Sequence, residues 1–211
     1  MESPLRSPLT DRFNRALVLA SSLHATQPRK GGEVPYIAHL LAVCALVLEA
    51  GGDEDVAIAA LLHDAVEDQG GPPTLAMIRQ LFGDRVADTV NGCTDTDQTP
   101  KPPWKQRKQD YLSHLRTAPD DVRLVSAADK VHNARSIIFD YRTLEGIDGE
   151  KGNGHEIWQR FHASAHEQMW YYKELVAALR AGESPRPTKV RPLIDELDRL
   201  VGAMEKLRRL G

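Results

Sequence analysis

Apolar residues recur at helical intervals along nearly the whole chain, while runs that alternate every second residue, as half-buried strands require, are almost absent. Phe13, Ala16, Leu17, Ala20 and Leu23 form one such stripe on a helix predicted over 11–27. PRKGGEVP, at 28–35, ends it with two prolines and two glycines. A second helix is expected over 36–50, stopped by Gly51 and Gly52. Asp53 is placed to cap a third that runs through VAIAALLHDAVED to Gly70, Gly71, Pro72 and Pro73. Thr74 is expected to cap a short helix to Phe82, and further helices are expected over 84–92, 104–116, 120–144, 155–180 and 191–210. The polar, proline-rich stretch 94–103 reads as a loop, and 144–154 and GESPRPTKV as connections. The fold class is therefore all-α: a helical bundle over 1–183 with an additional C-terminal helix in 184–211. Leu193, Leu197, Leu200, Val201, Met204 and Leu207 give that extension an apolar stripe suited to packing on the bundle or on a second subunit. Monomer and homodimer both stay open.

A chain of 211 residues supports one substantial core and leaves no room for a second catalytic domain. Its 27 Lys+Arg against 30 Asp+Glu leave a formal charge of -3, which suits neither a nucleic-acid coat protein nor a disordered acidic tail. Cys44 and Cys93 make no disulfide framework and no cysteine zinc spacing, a usage that fits a reducing cytosol. The opening MESPLRSPLTDRF lacks the pattern of a secretory leader, and no run approaches the roughly 18 apolar residues that span a bilayer. The expectation is a cytoplasmic protein with no membrane and no nucleic-acid partner.

LLHDAVED, at 61–68, then sets the functional question, because it places four ionisable groups at the end of an apolar, alanine-rich run. On a continuous helix His63 lies over Glu67 and Asp64 over Asp68. Charge in such a setting is costly unless something compensates it, and a divalent metal would. Alone, the pair His63-Asp64 reads as a helix edge emerging into solvent. PYIAHLLAV adds His39 early in one apolar helix, and SAADKVHNARS adds Asp129 within another. Two imidazoles and two carboxylates suit manganese, iron or zinc better than calcium. Glu67 and Asp68 are then the candidates to take a proton from an attacking water. Arg29 and Lys30, in the loop before His39, are either anion contacts or a solvated basic turn. WKQRKQDY, with Lys105, Arg107 and Lys108, is a phosphate-recruiting rim, a nucleic-acid contact or a solvated helix face. His162 and His166 have i, i+4 spacing but lack the Glu of an H-E-x-x-H zinc motif, and read as packing or polar residues.

The ordered set R-K-G-G-E-x-P-Y-I-x-H, A-A-L-L-H-D-x-V-E-D and A-D-K-x-H-N-x-R resembles the HD-type hydrolase domain of the RelA/SpoT homologue family, in particular its stand-alone small alarmone hydrolases. The resemblance covers about residues 17–179. It implies one metal, usually Mn2+, on His39, His63, Asp64 and Asp129, with Glu67 and Asp68 holding and activating the water. It further implies that Arg29 and Lys30 contact base and phosphates and that Asn133 contacts the nucleoside. The implied substrate is the guanine nucleotide alarmone guanosine 3′,5′-bis(diphosphate) or its pentaphosphate form, cleaved to release pyrophosphate. Leu40, Val34 and Ser126 depart from the usual pattern without removing a ligand. Adenosine alarmones, a 3′-monophosphate form or NADPH remain alternative substrates, and a non-catalytic alarmone sensor an alternative role.

Overall fold

The computed structural model describes residues 9–96, 98, 100–144, 154–161, 163–182 and 188–209. In chain order they form α1 (Asp11–Leu23), α2 (Ile37–Glu49), α3 (Glu54–Leu62), α4 (Ala65–Asp68), α5 (Pro72–Phe82), α6 (Asp84–Cys93), α7 (Trp104–Leu115), α8 (Asp120–Leu144), a 3-10 helix (Gly154–Arg160), α9 (Ala165–Ala181) and α10 (Arg191–Arg209). No strand occurs among the described residues; an isolated bridge between Pro28 and Pro35 closes the loop before α2. Two backbone bonds tie that loop: Arg29 N–H donates to Val34 O at 2.7 Å and Tyr36 N–H to Gln27 O at 2.9 Å. Arg29 and Lys30 are thereby held on a short, closed turn rather than on a free one.

α3 is apolar on all sides, and every residue from Val56 to Leu62 is buried. A helix of that kind has no face to give to water, so it sits at the centre, packed by α1, α2, α6 and α8. Its start follows the sequence expectation: the Asp53 carboxylate accepts from Val56 N–H at 3.3 Å. α8 is the second organising element, lying against α2, α6, the 3-10 helix and α10. α10 lays Leu193, Leu197, Leu200, Val201 and Met204 against the bundle formed by α8 and α9. The expected division at 183/184, the connection 145–153 and residue 210 lie outside the described residues.

Besides α1, which ends at Leu23 rather than near 27, three boundaries differ from the sequence expectation. The helix expected to continue through LLHDAVED breaks after Leu62 and resumes at Ala65. The cause is local: His63 Nδ1 takes the Ala60 carbonyl at 2.8 Å, and Asp64 relaxes to ψ -3, so the helical ladder is interrupted there. α5 begins at Pro72 rather than at a Thr74 cap, because Gly71 at φ 64 turns the chain into a helix whose first residue has no N–H to leave unpaired. Thr74 lies inside it and donates its hydroxyl to Gln69 O at 2.6 Å. The single helix expected over 155–180 is instead a 3-10 helix and α9, separated where Ser164 and Glu167 form a reciprocal capping box.

One buried cation fastens α8 to the end of α9. Arg123, 1% exposed, donates to the Leu179 carbonyl in the last turn of α9 and to Asp120 at 3.1 Å. Carbonyls in the last turn of a helix are those that the helix's own N–H groups leave to other donors. Arg123→Met is expected to lower unfolding free energy by about 1–3 kcal/mol, the cost of a buried acceptor left unmade. Urea denaturation measures it.

Candidate metal centre

Two helices and the α3/α4 break converge on one point. α2 supplies His39 from its first turn, the break supplies His63 and Asp64, and α8 supplies Asp129. His39, His63 and Asp129 are buried, and one ligand atom from each lies within 4.8 Å of the others. His39 Nε2 is 3.2 Å from Asp129 Oδ1 and 3.6 Å from Asp64 Oδ2. His63 Nε2 is 3.0 Å from Asp64 Oδ2 and 3.9 Å from Asp129 Oδ1. Despite that proximity, His63 Nε2 has no aligned hydrogen bond, although it is buried. A buried ring nitrogen left without a hydrogen-bond partner, facing two carboxylates and a second imidazole, fits a divalent cation in its donor chemistry. The break in the helix matters here, because it turns His63 and Asp64 together toward His39.

The surrounding groups fix these side chains. Tyr36 donates its hydroxyl to Asp64 Oδ2 at 2.6 Å. Asp129 accepts from Lys130 and from the Asn133 amide, and Asn133 in turn accepts from Arg29 at 2.8 Å. His39 Nδ1 meets His132 Nδ1 at 2.8 Å. Burial works against the imidazolium of His63, but Asp64 and Asp129 outweigh it and push its pKa up to about 9. Burial likewise opposes the charge of Asp129, but adjacent Lys130 and the two imidazoles hold it well below the usual carboxylate range. His63 and His39 do the same for Asp64. Burial, with His39 and Arg29 nearby, depresses His132 to about 4.

A metal at His63 Nε2 has to displace a proton whenever the pH lies below about 9. Apparent metal affinity is therefore expected to rise about tenfold per pH unit across pH 7 to 8, with release of about one proton. Titrations of metal into stripped protein in two buffers of different ionisation enthalpy measure both quantities; affinity independent of pH contradicts this reading.

The cluster lies on a cavity of about 760 Å³ whose lining includes Arg29, Lys30, Glu67, Arg107, Lys108 and Asn133. Each of the sequence candidates has a definite neighbour. Glu67 Oε1 pairs with Lys101 at 2.9 Å, and Asp68 accepts from the Gln27 amide at 2.8 Å. Glu67 therefore faces the cavity from α4, not from one continuous face with His63. Burial and then Asp64 raise the pKa of Asp68. Arg107 and Lys108 both pair with Asp95, so part of their charge is met within the protein. Among the described residues Arg29 and Lys30 pair with no carboxylate, and Lys30 Nζ lies 5.8 Å over the Phe161 ring. Lys105 instead sits 2.9 Å from the Trp170 ring. His166 is exposed on α9, and His162 lies outside the described residues. Tyr36, Gln27 and His132 have no assigned role in the sequence reading, because their contacts depend on tertiary partners 28, 41 and 93 residues away. Tyr36 and His132 do adjoin the motifs that carry the cluster.

A helical bundle holding buried imidazoles and a carboxylate beneath a cation-lined cavity is a protein with a candidate metal site. The HD domain family matches residues 16–165, and the chain belongs to that family. It is 37% identical over 140 residues, 65% of its length, to a probable guanosine-3′,5′-bis(diphosphate) 3′-pyrophosphohydrolase of Synechocystis sp., covering 17% of that protein. It is 34% identical over 129 residues, 60% of its length, to the bifunctional (p)ppGpp synthase/hydrolase SpoT of Escherichia coli K12, covering 18% of it. The chain thus spans less than a fifth of these curated relatives. Among solved structures, a metazoan SpoT orthologue described as hydrolysing ppGpp superposes with TM-score 0.69 at 26% identity, covering 94% of this chain and 99% of that one. The crystal structure of lmo0812 from Listeria monocytogenes EGD-e gives TM-score 0.65 at 32% identity over 80% of this chain and 99% of that one. No helix among the described residues is long and apolar enough to cross a membrane.

Proposed function

We propose that the protein is a metal-dependent (p)ppGpp 3′-pyrophosphohydrolase, converting guanosine 3′,5′-bis(diphosphate) to GDP and pyrophosphate. The observation that carries the reading is the buried cluster of His39, His63 and Asp129 at a cavity lined by Arg29, Lys30, Arg107 and Lys108. Relatives named for this reaction, and one neighbour covered almost end to end, support it. The ion is proposed to be Mn2+, held by His39, His63, Asp64 and Asp129, a mixed nitrogen and oxygen set. When bound, such an ion polarises a phosphoryl oxygen and lowers the pKa of water.

The chain supplies the rest. Glu67 takes the proton of the attacking water, and Asp68, whose raised pKa suits a base, is the second candidate. Arg29 and Lys30, free of carboxylate partners among the described residues, receive the first anionic group of the substrate. Arg107 and Lys108 can engage a second phosphate only by sharing or exchanging Asp95. Asn133, already bonded to Asp129 and Arg29, positions the nucleoside beside the ligands.

Stripped protein reloaded with Mn2+ and incubated with guanosine 3′,5′-bis(diphosphate), with products resolved by anion exchange, tests the proposal. GDP plus pyrophosphate is the expected result. Orthophosphate as the inorganic product would move the protein to another class of HD phosphohydrolase. Tight nucleotide binding without turnover would make it a sensor.

A further inference from the structure

We infer that His132 is a positioning residue for the metal centre, its Nδ1 accepting the Nδ1–H of His39 and so fixing the tautomer that presents the His39 Nε2 lone pair to the ion. The inference rests on the proposed role of His39 as a ligand, and goes beyond it by assigning a residue outside the ligand set.

Proton count decides which nitrogen donates. His39 Nε2 faces Asp129 and Asp64 at 3.2 and 3.6 Å, while its Nδ1 faces His132 Nδ1 at 2.8 Å. A neutral imidazole carries one N–H, and two ring nitrogens in hydrogen-bond contact need one donor and one acceptor. Nε2 of a metal-ligating His39 must hold a lone pair, so its proton sits on Nδ1. His132 Nδ1 is then the acceptor, and the proton of His132 is on its Nε2.

His63 shows the same arrangement with a different partner. Its Nδ1 donates to the Ala60 carbonyl at 2.8 Å, leaving Nε2 directed at the carboxylates. Both imidazoles are therefore oriented by an acceptor behind them, the arrangement that raises ligand basicity at metal sites. For His63 the acceptor is backbone and survives any substitution. For His39 it is a side chain, and substitution can remove it. His39 is 1% exposed, so solvent water is poorly placed to replace a lost acceptor. His132 lies three residues after Asp129 on α8, one turn along the same face. One helix thus provides both a carboxylate of the centre and the group that orients the imidazole from α2.

The test compares Mn2+ affinity of the stripped wild-type protein with three variants, by competition against a fluorescent chelator, with thermal unfolding followed for each. His132→Phe removes the acceptor and is expected to weaken Mn2+ binding about 10- to 100-fold. His132→Asn places an amide oxygen close to where Nδ1 stood and is expected to bind within about threefold of wild type. His132→Gln carries its amide one methylene farther out and is expected to fall with Phe. The contrast between Asn and Gln holds even if the Phe variant unfolds. Wild-type affinity in both Phe and Gln, or an Asn variant no better than Gln, overturns the role of His132 while leaving the metal centre standing. Failure of the wild-type protein to bind Mn2+ overturns both readings together.

Discussion

Asp129→Asn is expected to abolish turnover, to weaken metal binding by at least about 100-fold, and to destabilise the fold. The carboxylate is 6% exposed and sits between His39, Lys130 and Asn133. The amide keeps the shape but loses the negative charge. As a ligand it is far weaker than a carboxylate for a divalent ion. As a counter-ion it is absent, and Lys130, whose side chain is 16% exposed, is left as a largely buried ammonium. Breaking a buried pair from one side costs about 3–5 kcal/mol, and the low end is expected because Lys130 keeps some access to water. Adding Lys130→Met to Asp129→Asn separates the two effects: stability should return in urea denaturation, while turnover and metal affinity should not. Recovery of turnover in the double variant would show that Asp129 serves the fold alone.

Glu67→Gln is expected to reduce kcat by about 10² to 10⁴ while leaving Mn2+ affinity within about twofold of wild type. Glu67 lies outside the ligand cluster but on the same cavity, with Lys101 at 2.9 Å. Glutamine can keep the contact with Lys101 through its amide oxygen, yet it cannot accept a proton from water. The signature is therefore a protein that binds metal and substrate and turns over slowly. Stopped-flow measurement of pyrophosphate release, beside a metal titration of the same preparation, provides both numbers. An undiminished kcat would transfer the role of base to Asp68, and Asp68→Asn would then have to show the loss instead.

The helical class was legible because the apolar spacing was helical in nearly every segment and because breaks such as Gly51-Gly52 and Gly70-Gly71 fall where helices end. Asp53 as a cap followed from chemistry that acts within three residues. The break at His63 was not legible, since it depends on a ring nitrogen taking a backbone carbonyl that a continuous helix would have used. The start of α5 was legible in principle from Pro72, whose missing N–H favours a first helical position over a Thr74 cap. The same holds for the capping box at Ser164, which follows the S-x-x-E pattern and marks the division of the helix expected over 155–180.

At the site, the residue types at 39, 63, 64 and 129 pointed to a metal because imidazoles and carboxylates in apolar helices need a shared partner. What spacing could not give was the support around them. His132 reaches His39 across 93 residues, and Gln27 reaches Asp68 across 41. Asp95 illustrates the converse: Arg107 and Lys108 read as cations available to a phosphate, yet the fold brings a carboxylate 12 and 13 residues upstream into contact with both. Arg29 and Lys30, held on the turn between Pro28 and Pro35, pair with no carboxylate among the described residues.

The most direct measurement is a stoichiometric one: metal-stripped protein titrated with Mn2+ while pyrophosphate release from guanosine 3′,5′-bis(diphosphate) is followed continuously. No release is expected without metal, with a rate that rises to a plateau at about one Mn2+ per chain and pyrophosphate equal to the GDP formed. Release that proceeds undiminished in the stripped protein, or inorganic product appearing as orthophosphate, would contradict it.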